Sequence, residues 1–80
     1  MTVVHRITGY DKRRGNLMVE HDVPQDKMRR IKDLANVEKR DDAAVGSYEL
    51  APDQAKKIAR AINKMINVEG YIWFLEPFGE

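Results

Sequence analysis

The sequence predicts a single small α+β domain, a β-hairpin followed by two helices and a C-terminal strand in the order ββα(β)αβ. Three observations carry that expectation. Two stretches rich in β-branched residues flank a turn-forming segment near the N-terminus. Two later stretches repeat their apolar residues at helical spacing. The last apolar run, Tyr71-Ile72-Trp73-Phe74-Leu75, lies between Gly70 and Pro77 and combines aromatic and β-branched side chains. One mixed or antiparallel sheet with both helices on one face satisfies this order.

Residues 3–10 and 16–23 read as the hairpin strands. Between them, Asp11 can accept from the backbone two residues on, and Gly15 can take the left-handed conformation that closes the turn. Setting Tyr10 opposite Asn16 places Ile7 against Val19, Arg6 against Glu20 and His5 against His21. It gathers Val3, Ile7, Leu17, Val19 and Val23 on one face. A one-residue slip gathers Val4, Tyr10, Leu17, Val19 and Val23 instead. Pro24 opens a helix carried by Met28, Ile31, Leu34 and Ala35, with Asn36 as its stop and Asp26–Arg30 as an i, i+4 pair. Residues 37–47, with the mixed charges of 38–42, read as a solvated loop, and 47–50 as a short strand. Pro52 and Asp53 suit the first turn of a second helix. Its apolar stripe (Ala55, Ile58, Ala59, Ile62, Met65, Ile66) extends it to about Asn67. The terminal strand covers 71–76, and Pro77 is expected to end it.

Composition narrows the function classes. With 80 residues, one domain over 1–80 is the expectation. The chain has no cysteine, which removes disulfides, thiolate metal sites and thiol nucleophiles and favours a reducing, cytoplasmic setting. No apolar run approaches the length of a membrane span, and the first residues carry no signal-peptide pattern. A net charge of +1 is no polyanion-binder's signature in itself. Gly-rich phosphate loops, HExxH and the nucleophile elbow are missing, and no cofactor is implied. Ser47 has no local base, and Asp41-Asp42 reads as solvated charge rather than a cation site. The expectation is a non-catalytic protein, with a metal-dependent or inter-protomer enzyme as a remote alternative. That alternative rests on His5 and His21 meeting across the hairpin, which supplies two ligands where structural zinc takes four.

Two surfaces stand out. The terminal strand is apolar on both faces, with Tyr71, Trp73 and Leu75 on one and Ile72 and Phe74 on the other. A sheet covered on one side should alternate with polar residues, so either the strand is central with its second face covered by loops or the C-terminal tail, including Phe78, or that face meets a partner. Tyr10, Met18, Tyr71, Ile72, Trp73 and Phe74 are therefore the candidate protein-interaction residues, the partner being another protein or a second copy in a homodimer. The alternative is a nucleic-acid-binding module. Lys56, Lys57, Arg60 and Lys64 fall within an arc of about 100° opposite the apolar stripe of the second helix. Lys12, Arg13 and Arg14 add a basic hairpin tip. The basic residues of the first helix spread around its circumference and form no stripe. The run of basic, glycine and aromatic residues typical of RNA-binding sheets is missing.

Overall fold

The computed structural model describes residues 2–79. Its elements are β1 (Val3–Asp11), β2 (Leu17–Val23), α1 (Met28–Ala35) after a 3-10 turn at Gln25–Lys27, β3 (Tyr48–Leu50), α2 (Pro52–Ala61) and β4 (Tyr71–Gly79). The strands form one antiparallel sheet in the order β2-β1-β4-β3. The α+β class and element order match the sequence expectation. No helix is long and apolar enough to cross a membrane among the described residues.

The hairpin turn uses the chemistry read from it. Asp11 Oδ1 accepts from Arg13 N at 2.9 Å, and Gly15 has φ of 73°. The register differs from both versions expected. His5 pairs with Val23, Arg6 with Asp22, Ile7 with His21 and Gly9 with Val19, but Tyr10 pairs with Leu17. The irregularity at Gly9/Tyr10 leaves Met18 as the extra residue, a bulge. Up to it, Val19 and Val23 share a face with Ile7, as in the first register; beyond it, Leu17 shares a face with Tyr10, as in the slipped one. A single phase for the whole strand cannot describe a strand that changes phase. Ile7–Val19, Arg6–Glu20 and His5–His21 are therefore not directly opposite pairs; Arg6 still reaches Glu20 diagonally at 3.8 Å, but the shared-metal geometry for the two histidines is lost.

Both helices end on an asparagine in the left-handed region. After α1, Asn36 has φ of 57° and ψ of 45°, with Asn36 N donating to Asp33 O at 3.2 Å and Val37 N to Lys32 O at 3.1 Å. After α2, Asn63 has φ of 58°, Asn63 N donates to Arg60 O at 3.1 Å and Lys64 N to Ala59 O at 2.8 Å. This Schellman geometry satisfies carbonyls the helix leaves orphaned. It corrects the second helix, which stops at Ala61 rather than near Asn67. Lys64 and Met65 leave the helix, and Met65 is 98% exposed where the stripe placed it in the core.

At its other end, α2 begins with Pro52 and with Gln54 Oε1 accepting from Ala51 N at 2.8 Å. Gln54 Nε2 also donates to Leu34 O at 3.0 Å, while Lys27 Nζ donates to Ala61 O at 2.6 Å. The start of each helix therefore lies beside the end of the other, so the two run antiparallel. Together they cover one face of the sheet. Ile7, Val23, Leu50, Trp73 and Leu75 from the strands pack against Met28, Ile31, Ala35, Ala55, Ile58 and Ile62 from the helices and against Ala44 of the loop.

Side-chain contacts hold the α1–β3 connection, which is more structured than a solvated charge run; among them Lys32 Nζ donates to Asp42 O at 2.7 Å. Asp41 accepts from Val45 N and Gly46 N, both at 2.9 Å, and from the Tyr48 hydroxyl. Chiefly the tyrosine, and then the two amides, hold the Asp41 carboxyl below the usual carboxylate range. Buried His5 donates from Nε2 to Ala44 O at 3.0 Å, tying the loop to β1. Pro77 does not end β4, which continues to Gly79 against β1. β3 pairs only as far as Leu75, so β4 has no second neighbour at Pro77 and a missing N–H there can face the open side.

Candidate functional site on the open sheet face

Strand alternation divides β4 between two environments. Trp73 and Leu75 turn to the helices and are 2% and 1% exposed. Ile72, Phe74, Glu76 and Phe78 turn to the face that carries no helix, beside Val4, Arg6, Thr8 and Tyr10 of β1, which pair with them across the strands. Leu17 of β2 joins Tyr10 through the bulge. Across the hairpin end of this face runs an apolar row of Leu17, Tyr10 and Ile72. Leu17 is 43% and Ile72 36% exposed. The Phe74 ring meets Tyr10 edge to face with centroids 5.5 Å apart, which fixes both rings.

A carboxylate sits below that row. Glu76 Oε2 accepts from Thr8 Oγ1 at 2.6 Å and from the Tyr10 hydroxyl, and Oε1 accepts from Ser47 Oγ at 3.0 Å. Burial is the largest single influence on Glu76 and pushes its pKa up. The three hydroxyl donors together outweigh it and hold the carboxyl below its usual range. The same bond, with burial, raises the Tyr10 phenol. Glu76 is thus a fixed negative charge at neutral pH and a weak proton acceptor. That makes it a poor general base for Ser47, the one hydroxyl of the three that is exposed. Beside it, Arg6 Nε donates to Asp22 Oδ1 at 2.7 Å, reaches Glu20 at 3.8 Å, and lies 4.9 Å over the Phe78 ring.

A shallow depression of about 550 Å³ joins these groups to the hairpin tip. Tyr10, Ile72, Phe74, Ser47 and Glu76 line it together with Lys12, Arg13, Arg14 and Glu49. Two candidate sets from the sequence therefore meet on one surface. Of the six interaction candidates, Tyr10, Ile72 and Phe74 converge there. Met18 is the exposed bulge residue at the edge strand, half exposed at 50%. Tyr71 is half-buried on the helix side, edge to face with Trp73. Trp73 is a core residue, its Nε1 donating to Asn67 O at 3.1 Å, and it leaves the set of surface anchors.

The basic candidates do not form one surface. Lys57 and Arg60 line a groove between the helices, Lys56 is exposed outside it, Lys64 lies past the end of α2, and the hairpin tip borders the sheet face. Among the described residues, no group of three or more His, Asp or Glu is placed to hold a metal ion. Sequence reasoning missed the Glu76 cage. Its one local signal is that Glu76 is the only charged residue in the otherwise apolar run before Pro77. The hydroxyls that give it meaning come from Thr8, Tyr10 and Ser47, distant in the chain.

Residues 4–76 match a family model described as Domain of unknown function (DUF7683). No curated protein and no solved structure matches the chain.

Proposed function

The chain belongs to the DUF7683 family, whose function is unassigned, and we propose that it is a non-catalytic cytoplasmic interaction module that pairs with a second copy of itself through the open sheet face. The observation that carries this proposal is the uncovered row of Leu17, Tyr10 and Ile72, backed by Phe74, on the one sheet face without helices. Interlocked aromatic and aliphatic groups of this kind are the usual centre of an interface.

Charge supports a second copy and selects its orientation. The middle of the face carries Glu20, Asp22, Glu49 and Glu76 against Arg6, and its hairpin end carries Lys12, Arg13 and Arg14. A two-fold axis along the strands would stack tip on tip. An axis across the strands lays the basic tip of one copy over the acidic middle of the other. Pairing through the free edge of β2 is disfavoured by the same reasoning, because centring it on the acidic stretch of β2 sets Glu20 opposite Asp22 of the other copy. Those carboxylates also repel phosphates, which weighs against the sheet face as a nucleic-acid platform.

Light scattering on wild type and on the double variant Leu17→Lys/Ile72→Lys tests the proposal. Both side chains are exposed enough for the variant to fold. Wild type should weigh as a dimer as its concentration is raised to about 100 μM, with a melting temperature that rises with concentration, and the variant as a folded monomer whose melting temperature does not depend on concentration. A monomeric wild type, or a variant that still dimerises, overturns it.

A further inference from the structure

On the opposite side of the molecule, α1 and α2 enclose a groove of about 630 Å³ lined by Lys27, Arg30, Lys57 and Arg60, with Leu34 and Ala61 at its floor and Asp26 as the single acid. We infer that this groove binds a polyphosphate chain, free or as part of a nucleotide. Lys57 and Arg60 on α2, and Lys27 at the N-cap of α1 with Arg30 within it, form two i, i+3 basic pairs, each placing two cations on the same flank about one turn apart. The antiparallel packing set by the Gln54–Leu34 and Lys27–Ala61 bonds then turns the two flanks toward each other. Neither helix alone shows the cluster.

The charge count selects the ligand. Lys27 is partly engaged, with its Nζ on Ala61 O. Arg30, Lys57 and Arg60 are exposed and make no ion pair among the described residues. In a chain with a net charge of +1, this groove gathers an excess of positive charge that its own acid does not balance. Converging like charges repel, and an anion between them removes the repulsion while accepting from the guanidinium forks. A singly charged anion leaves most of the excess. A chain of phosphoryl groups spans the groove and contacts both flanks.

The experiment titrates the full chain with inorganic tripolyphosphate and with ATP, read by calorimetry and by amide shifts, with sulfate at matched ionic strength as control. Both polyphosphates should bind, with shifts confined to 26–34 and 57–61. Equal affinities identify the phosphate chain alone as the feature read, and tighter ATP binding identifies a nucleotide. Arg30→Ser/Arg60→Ser should weaken binding about tenfold or more. Lys56→Ser/Lys64→Ser removes the same charge outside the groove and should leave affinity within about twofold. Binding matched by sulfate, equal losses in the two variants, or no binding overturns the inference. So does a single-stranded oligonucleotide that binds where tripolyphosphate fails to compete, since that assigns the groove to an extended polyanion.

Discussion

Replacing Gly9 with alanine tests whether Trp73 is locked in the core. Gly9 and Trp73 are directly paired between β1 and β4, and the indole lies across the glycine. A Cβ at position 9 would stand 3.1 Å from Trp73 Cη2 and 3.2 Å from Cζ2 and Cζ3. Carbon atoms prefer ~3.5–4.0 Å, so the ring would have to move by a few tenths of an ångström. Its freedom to do so is small: Trp73 is 2% exposed, its Nε1 is bonded to Asn67 O, and Tyr71 meets it edge to face with centroids 6.0 Å apart. Overpacking of this kind costs ~1–3 kcal/mol. Alanine in a strand recovers ~0.5–1 kcal/mol of the backbone entropy that glycine loses. The net expectation is a loss of about 0–2.5 kcal/mol, against the ~4–12 kcal/mol typical for a chain of this length. Urea unfolding followed by far-UV circular dichroism measures it. In a Trp73→Phe background, where the smaller ring leaves room, Gly9→Ala should become neutral or stabilising, a coupling of about 1–2 kcal/mol. A Gly9→Ala change that stabilises the wild-type background, or has the same effect in both, would refute the packing account.

Two further predictions concern the loop and the helix ends. The Asp41 carboxyl titrates below its unfolded value of about 3.9, so the stability it contributes is complete above that pH and is lost as pH falls through the lower folded value. Asp41→Asn should therefore lower the melting temperature at pH 7, with the gap from wild type closing on strong acidification; a gap independent of pH would rule this out. Asn36→Ala and Asn63→Ala put a side chain poorly suited to the left-handed region at φ of 57° and 58°, and each should cost about 1 kcal/mol, whereas glycine at either site should be tolerated. Alanine variants as stable as wild type in thermal unfolding would show that the asparagines do not set the helix ends.

Much of the fold was legible because its signals are local. Asp11 and Gly15 define the hairpin turn within a few residues. Asn36 stops α1, Pro52 starts α2, and alternation in β4 separates Trp73 and Leu75 from Ile72 and Phe74. The errors fall where two local signals compete. Ile62, Met65 and Ile66 continue a helical period past Asn63, but the left-handed asparagine and its two backbone bonds end the helix first. Pro77 reads as a strand terminator, yet it is accommodated where β3 no longer flanks β4.

By itself the sequence determined the elements, the α+β class and the presence of an aromatic strand with two apolar faces, because turn chemistry, capping and side-chain period act over one or two turns of chain. Only the tertiary structure decided which of those faces is core. The order β2-β1-β4-β3 puts β4 inside the sheet and the helices over Trp73, leaving Tyr10, Ile72 and Phe74 uncovered. It also decided that Thr8, Tyr10 and Ser47 close on Glu76, and that Lys27 and Arg30 face Lys57 and Arg60. These groups lie far apart in the chain. Their meeting follows from strand pairing and helix packing, which minimise exposed apolar surface over the whole molecule and leave no mark in any short window of residues.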